Sequence, residues 1–293
     1  MSKKVAVFLL FGQSNAVGHS LAMPENDCIL TPLNNVLGLK REENQSFDND
    51  ALVFSGYTSH SMNLGETQDN TYSLANCLAK LWQAEIDAGN PRSLPDLYIV
   101  HVAIGAQGVY GMWHPDREKK LIPGKLGEAD ISLFPFTCHV LSLLEKYFRE
   151  HALTPDYIGL HWRGGEQDTL LHLSLLQSNL KTLYVKIFSG MRQAIGCDVP
   201  LVLHKMPFYD AMKKQSIAKP DVNRTESMEY INRVFDELSL EYPPAHVFDV
   251  TNAPHCDFSI KGYGLTKDDY IHFTKETNEW VAKEIFQAGD LSN

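Results

Sequence analysis

Apolar residues come in short unbroken runs, and the stretches between the runs carry them at helical spacing. The first run, Val5-Ala6-Val7-Phe8-Leu9-Leu10-Phe11, contains no polar residue and stops at Gly12. Further runs cover 97–104, 157–162, 199–206 and 246–250. Runs of this length read as strands buried on both faces, because a strand with one wet face would alternate. Between them, 72–88, 136–151, 170–195, 227–240 and 274–287 have the length and spacing of amphipathic helices. Strands alternating with helices imply βαβ units, and so an α/β fold: a three-layer α/β/α sandwich with a mainly parallel five-stranded sheet. The segments 19–71 and 111–133 carry neither period and are expected to form long loops around a site.

In a sheet of this kind, ligands bind beyond the carboxyl ends of the strands. Ser14, Gly108 and Glu166 each follow a predicted strand at that end. Gly12-Gln13-Ser14-Asn15 therefore puts a serine at the exit of the first strand, where backbone N–H groups and the positive end of a helix suit a developing oxyanion. A serine there also serves as a plain helix cap, so a nucleophile needs partners. Asp269-Tyr270-Ile271-His272-Phe273 supplies them at the far end of the chain. Three-residue spacing lets Asp269 hold one imidazole nitrogen of His272, leaving the other to take a proton from Ser14.

Three blocks resemble those of the SGNH-type serine esterases, in the group of sialic-acid-specific acetylesterases and family 6 carbohydrate esterases. Gly12-Gln13-Ser14-Asn15-Ala16-Val17-Gly18 is similar to the family's Gly-Gln-Ser-Asn-x-x-Gly, and Asp269-Tyr270-Ile271-His272-Phe273 to its Asp-x-x-His-Phe. Between them, Trp162-Arg163-Gly164-Gly165-Glu166-Gln167-Asp168 resembles Trp-x-Gln-Gly-Glu-x-Asp. The resemblance implies one flavodoxin-like SGNH domain over 1–293. It further implies a Ser14, Asp269, His272 triad that removes O-acetyl groups from a carbohydrate through an acetyl-enzyme. Gln13, Asn15 and Glu166 would support the site. Gly164 departs from the pattern, because the family usually has there a glutamine that donates to the oxyanion. Gln107, Gln167 or a water is then needed as a substitute.

The oxyanion would be held by the amides of Ser14 and of Gly108, with Gly105 as the alternative to Gly108. Only glycine lets the main chain approach a ligand that closely. Gln107, Trp113, Arg163 and Gln167 are candidate substrate contacts, since aromatic and polar groups stack on and hydrogen-bond to sugars. Trp113 is equally suited to anchor the core. An α/β-hydrolase is the rival serine fold, but it places several strands before its nucleophile strand, and only 11 residues precede Gly12 here. Two other functions stay open: an esterase for small or lipid esters, and a carbohydrate-binding protein that has lost catalysis.

Composition narrows the rest. A length of 293 residues with 44% hydrophobic content supports one large core, and no low-complexity linker divides it. The net charge of −10 argues against nucleic acid as a partner. Five scattered cysteines without a Cys-x-x-Cys pair give no disulfide framework or zinc site. No cofactor or metal is expected, and His255-Cys256-Asp257 has no second cluster to complete a ligand set. His101 and His161 lie inside predicted strands and are expected to be hydrogen-bonded core histidines. The apolar start runs straight into the Ser14 block, so it reads as structure rather than as a signal peptide. No run approaches a membrane span, and a cytoplasmic protein is the default expectation.

Overall fold

Every residue from Val5 to Phe11 is at most 2% exposed, as a strand covered on both faces requires. This run is the middle of β1 (Lys3–Gly12) in a computed structural model that describes residues 2–19, 27–67, 72–89, 93–117, 121–123, 129–218, 222–251 and 271–288. The chain continues through α1 (Ser14–Val17), β2 (Val36–Leu39), α2 (Arg41–Asn44), β3 (Phe54–Gly56), α3 (Leu74–Asp87) and β4 (Asp96–Ala103). A small pair, β5 (Leu121–Pro123) and β6 (Ala129–Ile131), precedes α4 (Leu133–Glu150) and β7 (Leu153–Arg163). Then come α5 (Leu173–Ile195), β8 (Leu201–His204), α6 (Tyr209–Ala218), α7 (Arg224–Glu241), β9 (Ala245–Phe248) and α8 (Lys275–Ala288).

The main sheet has the order β3-β2-β4-β1-β7-β8-β9. All neighbours pair in parallel except β3, which runs antiparallel to β2 at one edge. The five long apolar runs of the sequence are β4, β1, β7, β8 and β9, side by side. Their chain order across the sheet is second, first, third, fourth, fifth, the flavodoxin-like arrangement. The sheet nevertheless has seven strands, not five. The extra two, β2 and β3, come from 19–71, which the sequence pattern assigns to loops. They have four and three residues, each with a glycine, too short to show a period and formed only because β4 offers an edge to pair with.

Chain direction explains the layers. After β1 the chain crosses to the β2-β3 edge and comes back to β4 beside β1, then passes β1 to β7 and continues to β8 and β9. Right-handed crossovers from β4 to β7, β7 to β8 and β8 to β9 put α4, α5 and α7 on one face, and α3 lies with α8. In agreement, α3 packs on α8, while α4 packs on α5 and α5 on α7. The strand order reverses at β1, and beyond its carboxyl end, the place where sheets of this kind bind ligands, the chain enters Ser14. The other long loop assignment also needs correction, since β5 and β6 lie within 111–133 and α4 starts at Leu133. Among the described residues, no helix is long and apolar enough to cross a membrane.

Candidate active site

β1 ends against β7. Gly12 takes φ 143°, and a Cβ there would lie 1.8 Å from the Arg163 carbonyl oxygen, so only glycine permits this approach. The next amide, Gln13, donates to that same oxygen at 2.9 Å, and Trp113 Nε1 donates to the Gly12 carbonyl at 3.0 Å. The chain then makes a single helical turn. Gln13, not Ser14, is its N-cap residue, and no side chain caps it. Ser14 is the first residue inside the turn and is 8% exposed. Gly18 and His19 donate to its carbonyl at 2.8 and 2.9 Å.

Asn15 ties this turn to the far end of the chain. Its Oδ1 accepts from the Phe273 amide at 2.9 Å, and its Nδ2 donates to the Ile271 carbonyl at 2.9 Å. Both backbone neighbours of His272 are thus held by the residue next to Ser14, though 257 positions separate Asn15 from His272 in the chain. Nδ2 also donates to Glu166 Oε1, which draws the third sequence block into the same cluster. Asp269 lies outside the described residues.

Glu166 is 4% exposed. Burial pushes its carboxyl up from the ordinary value, against the Asn15 hydrogen bond and the charges of His272 and Arg163. Two residues on, Asp168 lies beneath the glycine loop and accepts from the amides of Val109 at 3.0 Å and Tyr110 at 3.4 Å. Burial pushes its carboxyl up to about 7. A Cβ on Gly108 would stand 2.1 Å from Asp168 Oδ1, so this carboxylate fixes both the identity and the position of Gly108. Gly105, the alternative oxyanion donor, is already engaged: its amide donates to Glu66 Oε2 at 2.6 Å. Of the two candidates, Gly105 is the one whose amide is committed to a side chain.

Two candidate substrate contacts prove to be buried. Arg163 is 1% exposed, donates from Nη1 to Asn278 Oδ1 at 2.5 Å and to the Asn15 carbonyl at 3.4 Å, and stacks on the Phe273 ring at 4.7 Å. It braces the Ser14 turn and the Phe273 segment from below, and a substrate cannot reach it. Trp113 is fully buried and packs on Trp162 and Phe11, which makes it the core anchor. Gln107 and Gln167 are half-buried, and the Gln167 amide donates to Gln13 Oε1 at 3.4 Å. Beside Gly164 stands the Trp162 indole, three of whose atoms would lie 3.3 Å from a Cβ. It packs the space along the backbone but is no copy of the missing glutamine.

Other supporting residues carry little signal in the sequence. His204 accepts from Arg163 Nε at 3.4 Å through Nδ1, and its Nε2 lies 3.0 Å from His161 Nδ1. Burial pulls the His161 pKa down to about 3, and that of His101 likewise, so both are neutral core histidines. Arg224 donates to the Glu166 carbonyl and the Thr169 hydroxyl, holding the 166–169 turn. Its neighbour Asn223 caps α7 by accepting from the Glu226 amide. An arginine beside a helix cap is common enough that nothing distinguishes Arg224 in the bare sequence. Among the described residues, no group of His, Cys, Asp and Glu is arranged to hold a metal ion.

Fold and site together define a doubly wound α/β/α sandwich that presents a serine, a histidine tethered beside it and a glycine loop at the carboxyl edge of its sheet. The chain matches no protein-family model and no curated protein sequence. Among solved structures it is similar to the crystal structure of NanS, with a TM-score of 0.61 and 14% identity over 98% of both chains. At that identity the likeness establishes the fold.

Proposed function

We propose that this chain is a serine esterase that hydrolyses O-acetyl esters of a carbohydrate. The observation that carries the proposal is the Asn15 clamp, which fixes both backbone neighbours of His272 to the residue after Ser14. That link holds the segment of the candidate base next to the candidate nucleophile, as nucleophilic catalysis with a general base requires. Ser14 Oγ attacks the acetyl carbonyl while His272 takes its proton. The amides of Ser14 and Gly108 hold the tetrahedral oxyanion. Collapse of this intermediate expels the sugar hydroxyl, which takes the proton back from His272. His272 then activates a water that attacks the acetyl-enzyme and releases acetate. Asp269 orients His272, and Glu166 adds a second carboxylate whose ionisation the His272 charge favours.

Serine-hydrolase chemistry is supported by the pattern of Ser14, Asp269 and His272 and by the Asn15 clamp. Acetyl as the acyl group and carbohydrate as the alcohol rest on the resemblance of the three sequence blocks to carbohydrate acetylesterases. Gly164 favours a second reading, a sugar-binding protein without catalysis, because one oxyanion donor is worth ~10²–10³-fold in rate. Acetate release from aryl acetates and acetylated sugars, measured for the wild-type chain and Ser14→Ala, separates the two. The esterase should lose its activity in Ser14→Ala by ~10⁴-fold or more. Equal inactivity of both proteins with sugar still bound supports the binding protein, and preference for long acyl chains indicates a lipid esterase.

A further inference from the structure

The segment before Thr67 lies along the end of β4 although it belongs to no strand. Asn63 forms a parallel bridge with His101, and its side chain pairs with Ala103 in both directions, accepting from the amide at 2.8 Å and donating to the carbonyl at 2.9 Å. The Leu64 amide donates to the His101 carbonyl at 2.9 Å. This docking delivers Glu66 to the point where β4 gives way to the glycine loop. There one carboxylate makes two contacts: Oε2 accepts from the Gly105 amide at 2.6 Å, and Oε1 pairs with His19 Nε2. The Glu66 side chain is 13% exposed, so both contacts are largely shielded from water.

Each partner of Glu66 leads to the chemistry. His19 donates its own amide to the Ser14 carbonyl, and its ring stands edge-on to the His272 ring at 6.1 Å. Gly105 and Ala106 form the turn from which the chain runs on to Gly108. Ala106 has φ 56°, a region that a residue with a Cβ enters only where its surroundings hold it. We infer that Glu66 is a positioning residue: its carboxylate locks Gly105 and His19 together, and so sets the 105–108 segment against Ser14 and His272. The inference rests on the serine-esterase reading. It also assigns the Gly105 amide a structural role, so that the segment's oxyanion donor comes from farther along, at Gly108.

The test uses Glu66→Ala and Glu66→Gln in the full chain, with steady-state kinetics on an aryl acetate and amide hydrogen exchange followed by NMR. Displacing a reacting group by an ångström costs ~10²-fold, so Glu66→Ala should lower kcat by about tenfold or more with KM nearly unchanged. Gly105 amide protection should fall by about tenfold, while the Ala103 amide, held by Asn63, keeps its protection. In Glu66→Gln the amide oxygen still accepts from Gly105, and most of kcat should return. Unchanged kcat in Glu66→Ala overturns the inference, as does a change confined to KM. Loss of protection along the whole of β4 also overturns it, because Glu66 would then support the strand rather than the turn. Absence of acetate release from the wild-type chain overturns the esterase reading itself, a result distinct from an active enzyme indifferent to Glu66.

Discussion

Asn15 spends its amide on three partners at once, the Phe273 amide, the Ile271 carbonyl and the Glu166 carboxylate, in a site where it is 2% exposed. Removing it takes one hydrogen bond from each of these groups, worth about 0.5–1.5 kcal/mol each and more for the charged one. Asn15→Ala should therefore destabilise the chain by several kcal/mol and lower kcat more than KM, as urea unfolding and aryl acetate kinetics will report. Asp168 gives a pH-dependent prediction. Its folded-state value of about 7 exceeds its ordinary value of 3.8, so it stabilises the fold while protonated. That contribution is complete at low pH and is lost as pH rises through about 7. Asp168→Asn cannot ionise, and its urea midpoint should change less than that of the wild type between pH 4 and 7. Parallel curves for the two proteins would show that Asp168 is not the buried acid responsible.

At the scale of elements, the strength of the period decided what the sequence revealed. The runs at 5–11 and 97–104 are continuous and apolar, and each became a strand within two residues of its expected ends. The helix expected over 274–287 is Lys275–Ala288, because its apolar stripe is long enough to stand alone. β2, β3 and α6 escaped for the opposite reason: Tyr209–Ala218 has no apolar stripe, and the two short strands depend on a neighbour's free edge. Of the candidate residues, Ser14 and Glu166 were named because they follow strands and His272 because of its Asp-x-x-His-Phe block, and the structure brings the Ser14 turn, Glu166 and the His272 segment together through Asn15. The site was not legible where burial assigned the role, as with Arg163, whose charge suggested a ligand contact and whose position made it a brace. The glycine loop tests this level directly. In Gly108→Ala the methyl would meet Asp168, shifting the turn, and kcat should fall by ~10²-fold or more with a modest loss of melting temperature. Activity within twofold of wild type would remove Gly108 from the oxyanion site.

For the whole molecule, the sheet order matters more than any single contact. The strand order makes β1 the strand where the direction of travel across the sheet reverses, and that is where Ser14 emerges. β7 brings Glu166 and Asp168 to the same edge, and Asn15 recovers His272 from the far end of the chain. The assembly is thus built from three distant blocks whose convergence depends on the parallel sheet. The measurement that tests the central claim most directly is the mass of the intact protein after reaction with a fluorophosphonate, followed by peptide mapping. One adduct is predicted, on Ser14, lost in Ser14→Ala and formed far more slowly in His272→Ala. An adduct on another residue, or one retained in full by Ser14→Ala, would contradict it.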